Sequence, residues 1–98
     1  MASVSYPEVV TCISEQIGVL NTEIPETMKG FKAMVAGAER DGAIDAKTKE
    51  FIAMGIAIAL RCDGCIGMHT TKLIKMGTSR AEFEEMLGVA VYMGGGPS

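Results

Sequence analysis

The stretch "FIAMGIAIAL" is the feature that most constrains the fold of this chain. Asp45 is a predicted N-cap for a helix from Ala46, which carries charge in its first turns and is then apolar on every face until Arg61. A helix that is apolar all round must be buried. We therefore expect this helix to be buried on all sides, with surface buried between subunits, and the run is too short to span a bilayer.

Two helices are predicted before this segment. Ser5 as N-cap, with Pro7 in the first turn and Glu8 at the capping-box position, begins a helix over about 6–20. Pro25 opens the second helix. Gly42, in "RDGAID", is predicted to adopt a left-handed conformation that ends it.

Two more helices are predicted after the apolar segment. The fourth runs over about 64–76 and stops at Gly77, and Ser79 with Glu82 forms a capping box for the fifth. No strand-like alternation, repeat or linker is found. These patterns predict an all-α fold of five to six helices in a single domain spanning 1–98.

Composition narrows the class of protein. The chain has 98 residues, of which 48% are hydrophobic, and this suits one compact domain. Its net charge is −3 with scattered basic residues, so nucleic-acid binding is not expected. The N-terminal stretch "MASVSYPEVV" lacks the basic and apolar regions of a signal peptide. We expect a cytoplasmic protein that does not associate with membranes.

The chemically informative motif is Cys62-x-x-Cys65-x-x-x-His69. If Cys62 caps the fourth helix, Cys65 and His69 lie at i and i+4 on one face. Two thiols one turn apart can form a disulfide, and the helix dipole stabilises a thiolate there. An imidazole one turn below Cys65 can accept its proton. The spacing therefore predicts a dithiol redox centre with its own base.

Other interpretations of the motif stay open. A zinc module needs a fourth ligand, which Cys12 or a carboxylate would have to supply. Haem attachment is excluded because Ile66 stands where histidine is required. The motif residues can also be ordinary buried side chains. Cys12 itself lies at the edge of an apolar stripe and is predicted to be buried.

The stretch from Lys47 to Pro97 resembles the alkyl hydroperoxidase D and carboxymuconolactone decarboxylase family. The peroxidase branch of that family has Glu, eleven residues, Cys-x-x-Cys, three residues and His, and Glu50, Cys62, Cys65 and His69 match this pattern without a gap. The resemblance implies that Cys65 attacks a hydroperoxide, that Cys62 forms the disulfide, and that His69 and Glu50 relay the proton. It also implies a homo-oligomer, either a trimer or a hexamer.

The resemblance further implies a thiol or dithiol reductant, such as a thioredoxin-like or lipoyl donor, as partner. We expect neither a cofactor nor a metal ion. A lactone decarboxylase is the alternative within the family, although the decarboxylases proper lack the cysteine pair. Glu50 reaches the motif only if the chain turns at 61–64 or through another subunit. Gly64 stands where well-known members of the family carry histidine.

Overall fold

The computed structural model describes residues 4–96, which form five α-helices. In chain order these are α1 (Tyr6–Glu23), α2 (Pro25–Glu39), α3 (Ala46–Ala59), α4 (Asp63–Lys75) and α5 (Arg80–Gly94). Residues 4–96 contain no strand, so the predicted all-α fold is confirmed. Within that same range, no helix is both long and apolar enough to cross a membrane.

The predicted helix starts are confirmed by their caps. The Ser5 hydroxyl accepts from the backbone N–H of Glu8, and the Asp45 carboxylate accepts from that of Thr48 at 2.7 Å. The capping box of Ser79 and Glu82 is present in both directions. Each cap satisfies backbone donors that a helix N-terminus leaves without partners. Local sequence thus sets where these helices begin.

A tight turn at Leu60–Cys62 brings α4 back along α3. Arg61 has a φ of 55°, and its N–H donates to Ile58 while the N–H of Cys62 donates to Ala57. These two bonds form a Schellman motif with arginine at the left-handed position that glycine usually takes. The turn packs α4 against α3 within one chain.

The turn at the end of α2 differs from the prediction. Gly42 does not have a positive φ, so it is not a left-handed cap. Its N–H instead donates to the carbonyl of Ile44, and the Asp41 carboxylate accepts from the N–H of Ala46 at 2.7 Å. A side chain thus supplies the turn stabilisation that glycine geometry was expected to give. The predicted stop at Gly77 is confirmed, with a φ of 78°.

The prediction that α3 is buried on all sides is wrong for a single chain. Met54 and Ile58 form the core with Leu73 of α4, whereas Ile52 and Ile56 on the opposite side are 50% and 55% exposed. The reason is that α4 covers one face of α3, while α5 leaves an open groove along another. This α3–α5 groove has a volume of about 670 Å³, and its walls include Phe51, Ile52, Ile56, Met86, Val89 and Met93.

Helix α1 packs on α4 through two buried glycines. A Cβ at Gly67 would lie 2.7 Å from Cγ2 of Val10 and 3.4 Å from the carbonyl oxygen of Tyr6. A Cβ at Gly64 would overlap with Cδ1 of Ile13. The small residues therefore allow α1 to approach the backbone of α4 directly behind the cysteine motif.

We expect Gly67→Ala to destabilise the fold by about 1–3 kcal/mol, because the added methyl group forces α1 away from α4. Urea denaturation measures the loss. The double variant Gly67→Ala/Val10→Ala should recover part of it, since the second change removes the clashing methyl groups. Gly30→Ala is the matched control: nothing lies within 4 Å of its Cβ position in α2, so it should be neutral or stabilising. Equal losses in the two single variants would contradict the close contact.

Candidate active site

The two cysteines of the motif meet at the N-terminus of α4. Cys62 is the N-cap, and its sulfur accepts from the backbone N–H of Cys65 at 3.3 Å. The sulfurs of Cys62 and Cys65 lie 2.7 Å apart, in hydrogen-bond contact, and the Cys65 thiol is the donor when Cys62 is the thiolate. Both thiols are free in the structure. The predicted dithiol is therefore assembled at a helix start, with the sulfurs close enough for a disulfide after a small side-chain movement.

The environment makes the two thiols unequal in acidity. The hydrogen bond from the Cys65 thiol, together with the backbone N–H of Cys65, lowers the pKa of Cys62. Donating that hydrogen bond raises the pKa of Cys65, and loss of some hydration acts in the same direction. The first thiolate thus forms on Cys62, at the positive end of the helix.

The more acidic of the two cysteines is the less exposed to solvent. Cys65 is exposed and Cys62 is half-buried. The N-cap position of Cys62 turns its side chain back over the first turn of α4, where backbone N–H groups contact it. Cys65 is therefore the thiol that a solvent-borne reactant meets first.

Glu50 of α3 and His69 of α4 form a carboxylate–imidazole hydrogen bond. His69 Nδ1 lies 2.8 Å from Glu50 Oε2, and the Glu50 residue is only 1% exposed. Glu50 was expected to reach the motif only through a chain turn at 61–64 or from another subunit. The turn at Leu60–Cys62 brings Glu50 to His69 within one chain. Because a carboxylate only accepts hydrogen bonds, Nδ1 carries a proton, and Nε2 of a neutral imidazole is free to accept one.

Two residues that sequence analysis missed, Lys72 and Glu39, belong to the same cluster as Glu50 and His69. Lys72, one turn beyond His69 on α4, lies 3.3 Å from Glu50 Oε1 and also contacts Glu39 Oε2. Lys72 lies three residues after His69, and this spacing places both side chains on one face of the helix. The sequence could therefore have indicated Lys72. Glu39 is 33 positions from Lys72, and no local pattern links them.

The charges around Glu50 keep it ionised. Burial alone raises the pKa of Glu50, but the hydrogen bond from His69 and the positive charge of Lys72 outweigh burial and lower it. For Lys72, burial acts to lower the pKa, whereas its bonds to Glu39 and Glu50 raise it. The site therefore contains a buried carboxylate facing an imidazole, with an ammonium group on its other oxygen.

The zinc ligand set considered from the sequence is not assembled in residues 4–96. Cys62, Cys65 and His69 do not place three donor atoms within 4.8 Å of one another, whereas Glu39, Glu50 and His69 do. Lys72 already contacts both carboxylates of that second set. Cys12, the suggested fourth ligand, is exposed rather than buried. It lies beside Pro7, Glu8, Thr11 and Glu15, because it sits on the side of α1 that no other helix covers.

Gly64 has a packing role in this chain. The space that a side chain at position 64 would need is occupied by Ile13 from α1. A histidine at this position, as in the well-known peroxidases that the sequence resembles, would require α1 to move. His69 is the one histidine of the sequence, so no imidazole lies between the cysteines.

These features define a class of helical proteins with a Cys-x-x-Cys pair at a helix start and a carboxylate–imidazole pair beside it. The sequence profile of the carboxymuconolactone decarboxylase family matches residues 25–98. The chain belongs to the carboxymuconolactone decarboxylase family.

Similar proteins agree with this membership. The crystal structure of the apo form of a carboxymuconolactone decarboxylase family protein from Legionella pneumophila has a TM-score of 0.91 and 47% sequence identity, covering 94% of this chain and 82% of that one. An uncharacterized protein of Cupriavidus necator is 34% identical over 90% of this chain and 78% of its own length. A protein of the cox locus of Paracoccus denitrificans is 28% identical over 98% of this chain and 83% of its own.

We expect a thiol titration to detect the unequal cysteines. In a Cys12→Ser background, the absorbance of thiolate at about 240 nm should rise first at a pH below the ordinary thiol value of about 8.5, and this early step should belong to Cys62. Cys65→Ala should move the step to higher pH, because the hydrogen bond from the Cys65 side chain is lost. An early step that survives Cys62→Ser would contradict the assignment.

Proposed function

We propose that this protein is a thiol-dependent peroxidase that reduces hydroperoxides, with Cys65, Cys62, His69 and Glu50 as its catalytic residues. The observation that carries the proposal is the arrangement of an exposed thiol, a second sulfur 2.7 Å away and an imidazole–carboxylate pair on the same helical hairpin. A dithiol with a proton acceptor beside it supplies both the electrons and the proton transfers that peroxide reduction needs.

In the first step, Cys65 loses its proton, either to His69 Nε2 or along the hydrogen bond to the Cys62 sulfur. The Cys65 thiolate attacks one peroxide oxygen, so that a sulfur–oxygen bond forms while the oxygen–oxygen bond breaks. The leaving oxygen takes up the proton that His69 or Cys62 received, and it departs as an alcohol, or as water when hydrogen peroxide reacts. Cys65 is oxidised to sulfenic acid.

In the second step, the Cys62 thiolate attacks the sulfenic sulfur of Cys65. A disulfide forms, and hydroxide leaves as water after protonation. An external dithiol then reduces the disulfide by thiol–disulfide exchange and is itself oxidised. The lowered pKa of Cys62 serves this step, because the resolving sulfur must be a thiolate.

Two properties support Cys65 as the sulfur that meets the peroxide, although Cys62 is the more acidic. Cys65 is exposed, and it shares a helical face with His69 one turn away. Cys62 is partly covered at the N-cap. A proton shift across the contact between the two sulfurs converts the Cys65 thiol to the reactive thiolate.

Single-cysteine variants test these roles. In the Cys12→Ser background, Cys65→Ser should abolish peroxide consumption, whereas Cys62→Ser should consume one equivalent and stop at sulfenic acid, which dimedone labelling and mass spectrometry detect. His69→Ala should slow the reaction by about 10²-fold or more, with a smaller defect at alkaline pH. Peroxide and dithiol consumption are measured in a coupled assay.

Two outcomes would contradict this proposal in different ways. Loss of the first oxidation in Cys62→Ser, with retention in Cys65→Ser, would reverse the roles of the cysteines. The second candidate function is that of a lactone decarboxylase, which the Glu50–His69 pair supports because proton transfer needs no thiol. Turnover of a carboxylated lactone by the Cys62→Ser/Cys65→Ser variant, with no peroxidase activity in the parent, would favour that function.

We further propose that the protein is a homo-oligomer in which the α3–α5 groove packs against another copy of the chain. The groove places several apolar side chains in water, including Ile52 and Ile56 of α3 and Val89 and Met93 of α5. Exposed apolar area of this kind is typical of subunit interfaces.

Light scattering at micromolar concentration should therefore give a trimer or a hexamer. Ile56→Glu should lower the mass, because it places a charge in the interface. Ile74→Glu is the matched control, since Ile74 of α4 is similarly exposed but lies outside the groove. A monomeric parent protein would contradict the proposed assembly, and equal effects of the two variants would place the interface elsewhere.

A further inference from the structure

Lys72 connects the Glu50–His69 pair to a third helix. Its ammonium group lies 3.3 Å from Glu50 Oε1 and contacts Oε2 of Glu39, the last residue of α2. The other oxygen of Glu50, Oε2, faces His69. Each oxygen of the buried Glu50 therefore has one charged or chargeable partner, and Glu39 holds the lysine in place.

The buried carboxylate of Glu50 depends on Lys72 to compensate its charge. Its side chain is 2% exposed, and an ionised carboxylate with so little water is costly unless partners compensate. Glu39 carries a second carboxylate with a donor atom within 4.8 Å of those of Glu50 and His69. Without a cation between them, two carboxylates at this distance favour uptake of a proton by one of them.

The protonation state of Glu50 determines what it can do for His69. A carboxylate accepts the Nδ1–H of the imidazole, orients the ring and stabilises the imidazolium that forms when Nε2 takes a proton. A protonated Glu50 loses most of this effect. The charged and titratable groups that the described structure places against Glu50 are Glu39 from α2 and His69 and Lys72 from α4.

We propose that Lys72, held by Glu39, is a positioning residue that keeps the buried Glu50 a carboxylate facing His69. It acts as a built-in cation between the two acidic side chains. Its role in turnover rests on the proposed peroxidase function, but its effect on Glu50 belongs to the folded protein and is measurable without any activity.

The first test uses stability against pH. In the parent, the lowered pKa of Glu50 contributes stability above the ordinary glutamate value of 4.5, and this contribution is lost as pH falls through the lower folded value. In Lys72→Met, Glu50 should instead hold a proton to higher pH, so folding favours the protonated form. The loss in urea midpoint relative to the parent should therefore be large near about pH 8 and shrink towards about pH 5.

Three variants separate this effect from simple loss of packing. Lys72→Arg should keep the parent pH profile, since it retains the charge. Lys75→Met, an exposed lysine in the last turn of the same helix, should give a small change that does not depend on pH. In a Glu50→Gln background, Lys72→Met should lose its pH dependence, because no carboxylate remains at position 50 to protonate.

The second test uses the pH dependence of peroxide consumption. Lys72→Met should lower the rate by about tenfold at neutral pH and approach the parent rate at alkaline pH, where Glu50 ionises again. Lys72→Arg should restore the parent profile. If the parent consumes no peroxide, the proposed function fails while the stability series still decides the role of Lys72.

Three results would overturn the assignment to Lys72. A stability loss in Lys72→Met that is equal at all pH values would make the lysine a packing residue only. An unchanged pH–rate profile in an active Lys72→Met enzyme would remove it from the proton path. Stabilisation of the parent by Zn²⁺ or Mn²⁺, abolished in Glu39→Gln, would show that the acidic pair takes a metal ion in place of the ammonium group.

Discussion

The buried contact between Glu50 and His69 is the interaction on which the rest of the site depends. A buried carboxylate is tolerated only with partners for both of its oxygens, and here those partners come from α4. The contact therefore requires α3 and α4 to be packed side by side in one register. That register is set by the turn at Leu60–Cys62, where Arg61 adopts the left-handed conformation. The same turn delivers Cys62 to the N-cap of α4, so the geometry of the acid–base pair and that of the dithiol are built by one local structure.

Close packing behind α4 keeps this register in place. Gly64 and Gly67 allow Ile13 and Val10 of α1 to touch the backbone of α4, and the opposite side of α4 packs on α3 through Leu73. A helix held on two sides in this way cannot rotate without creating clashes or voids. The orientation of Cys65 and His69 therefore rests on apolar contacts that carry no chemistry themselves. The absence of a side chain at Gly64 is part of this packing and also removes a possible proton carrier from between the cysteines.

In the dithiol, acidity and solvent exposure belong to different cysteines, whereas a single reactive cysteine usually combines both. Cys62 is the more acidic sulfur because backbone and thiol donors converge on it at the helix start, whereas Cys65 is the more accessible. Such a division suits a two-step cycle, in which one sulfur meets the oxidant and the other must be a thiolate to close the disulfide. On the far side of α3, the apolar groove along α5 is remote from this chemistry. Packing of this groove against another copy of the chain would explain why that face of α3 is apolar.

The sequence by itself determined the helices, their caps and the spacing of Cys62, Cys65 and His69, because capping, apolar periodicity and i,i+4 spacing act over a few residues. Glu50 was indicated only by the family resemblance. The N-caps at Ser5, Asp45, Cys62 and Ser79 all follow from such local rules. Only the tertiary structure decided what depends on distant segments meeting. It placed Glu39 on Lys72, left Cys12 exposed because no helix covers that side of α1, and left one face of α3 open. It also assigned acidity and exposure to different cysteines, since both depend on how the first turn of α4 is oriented against its neighbours. A pattern in the sequence specifies which face of a helix seeks contact, but the partner of that face is chosen by the packing of the whole chain.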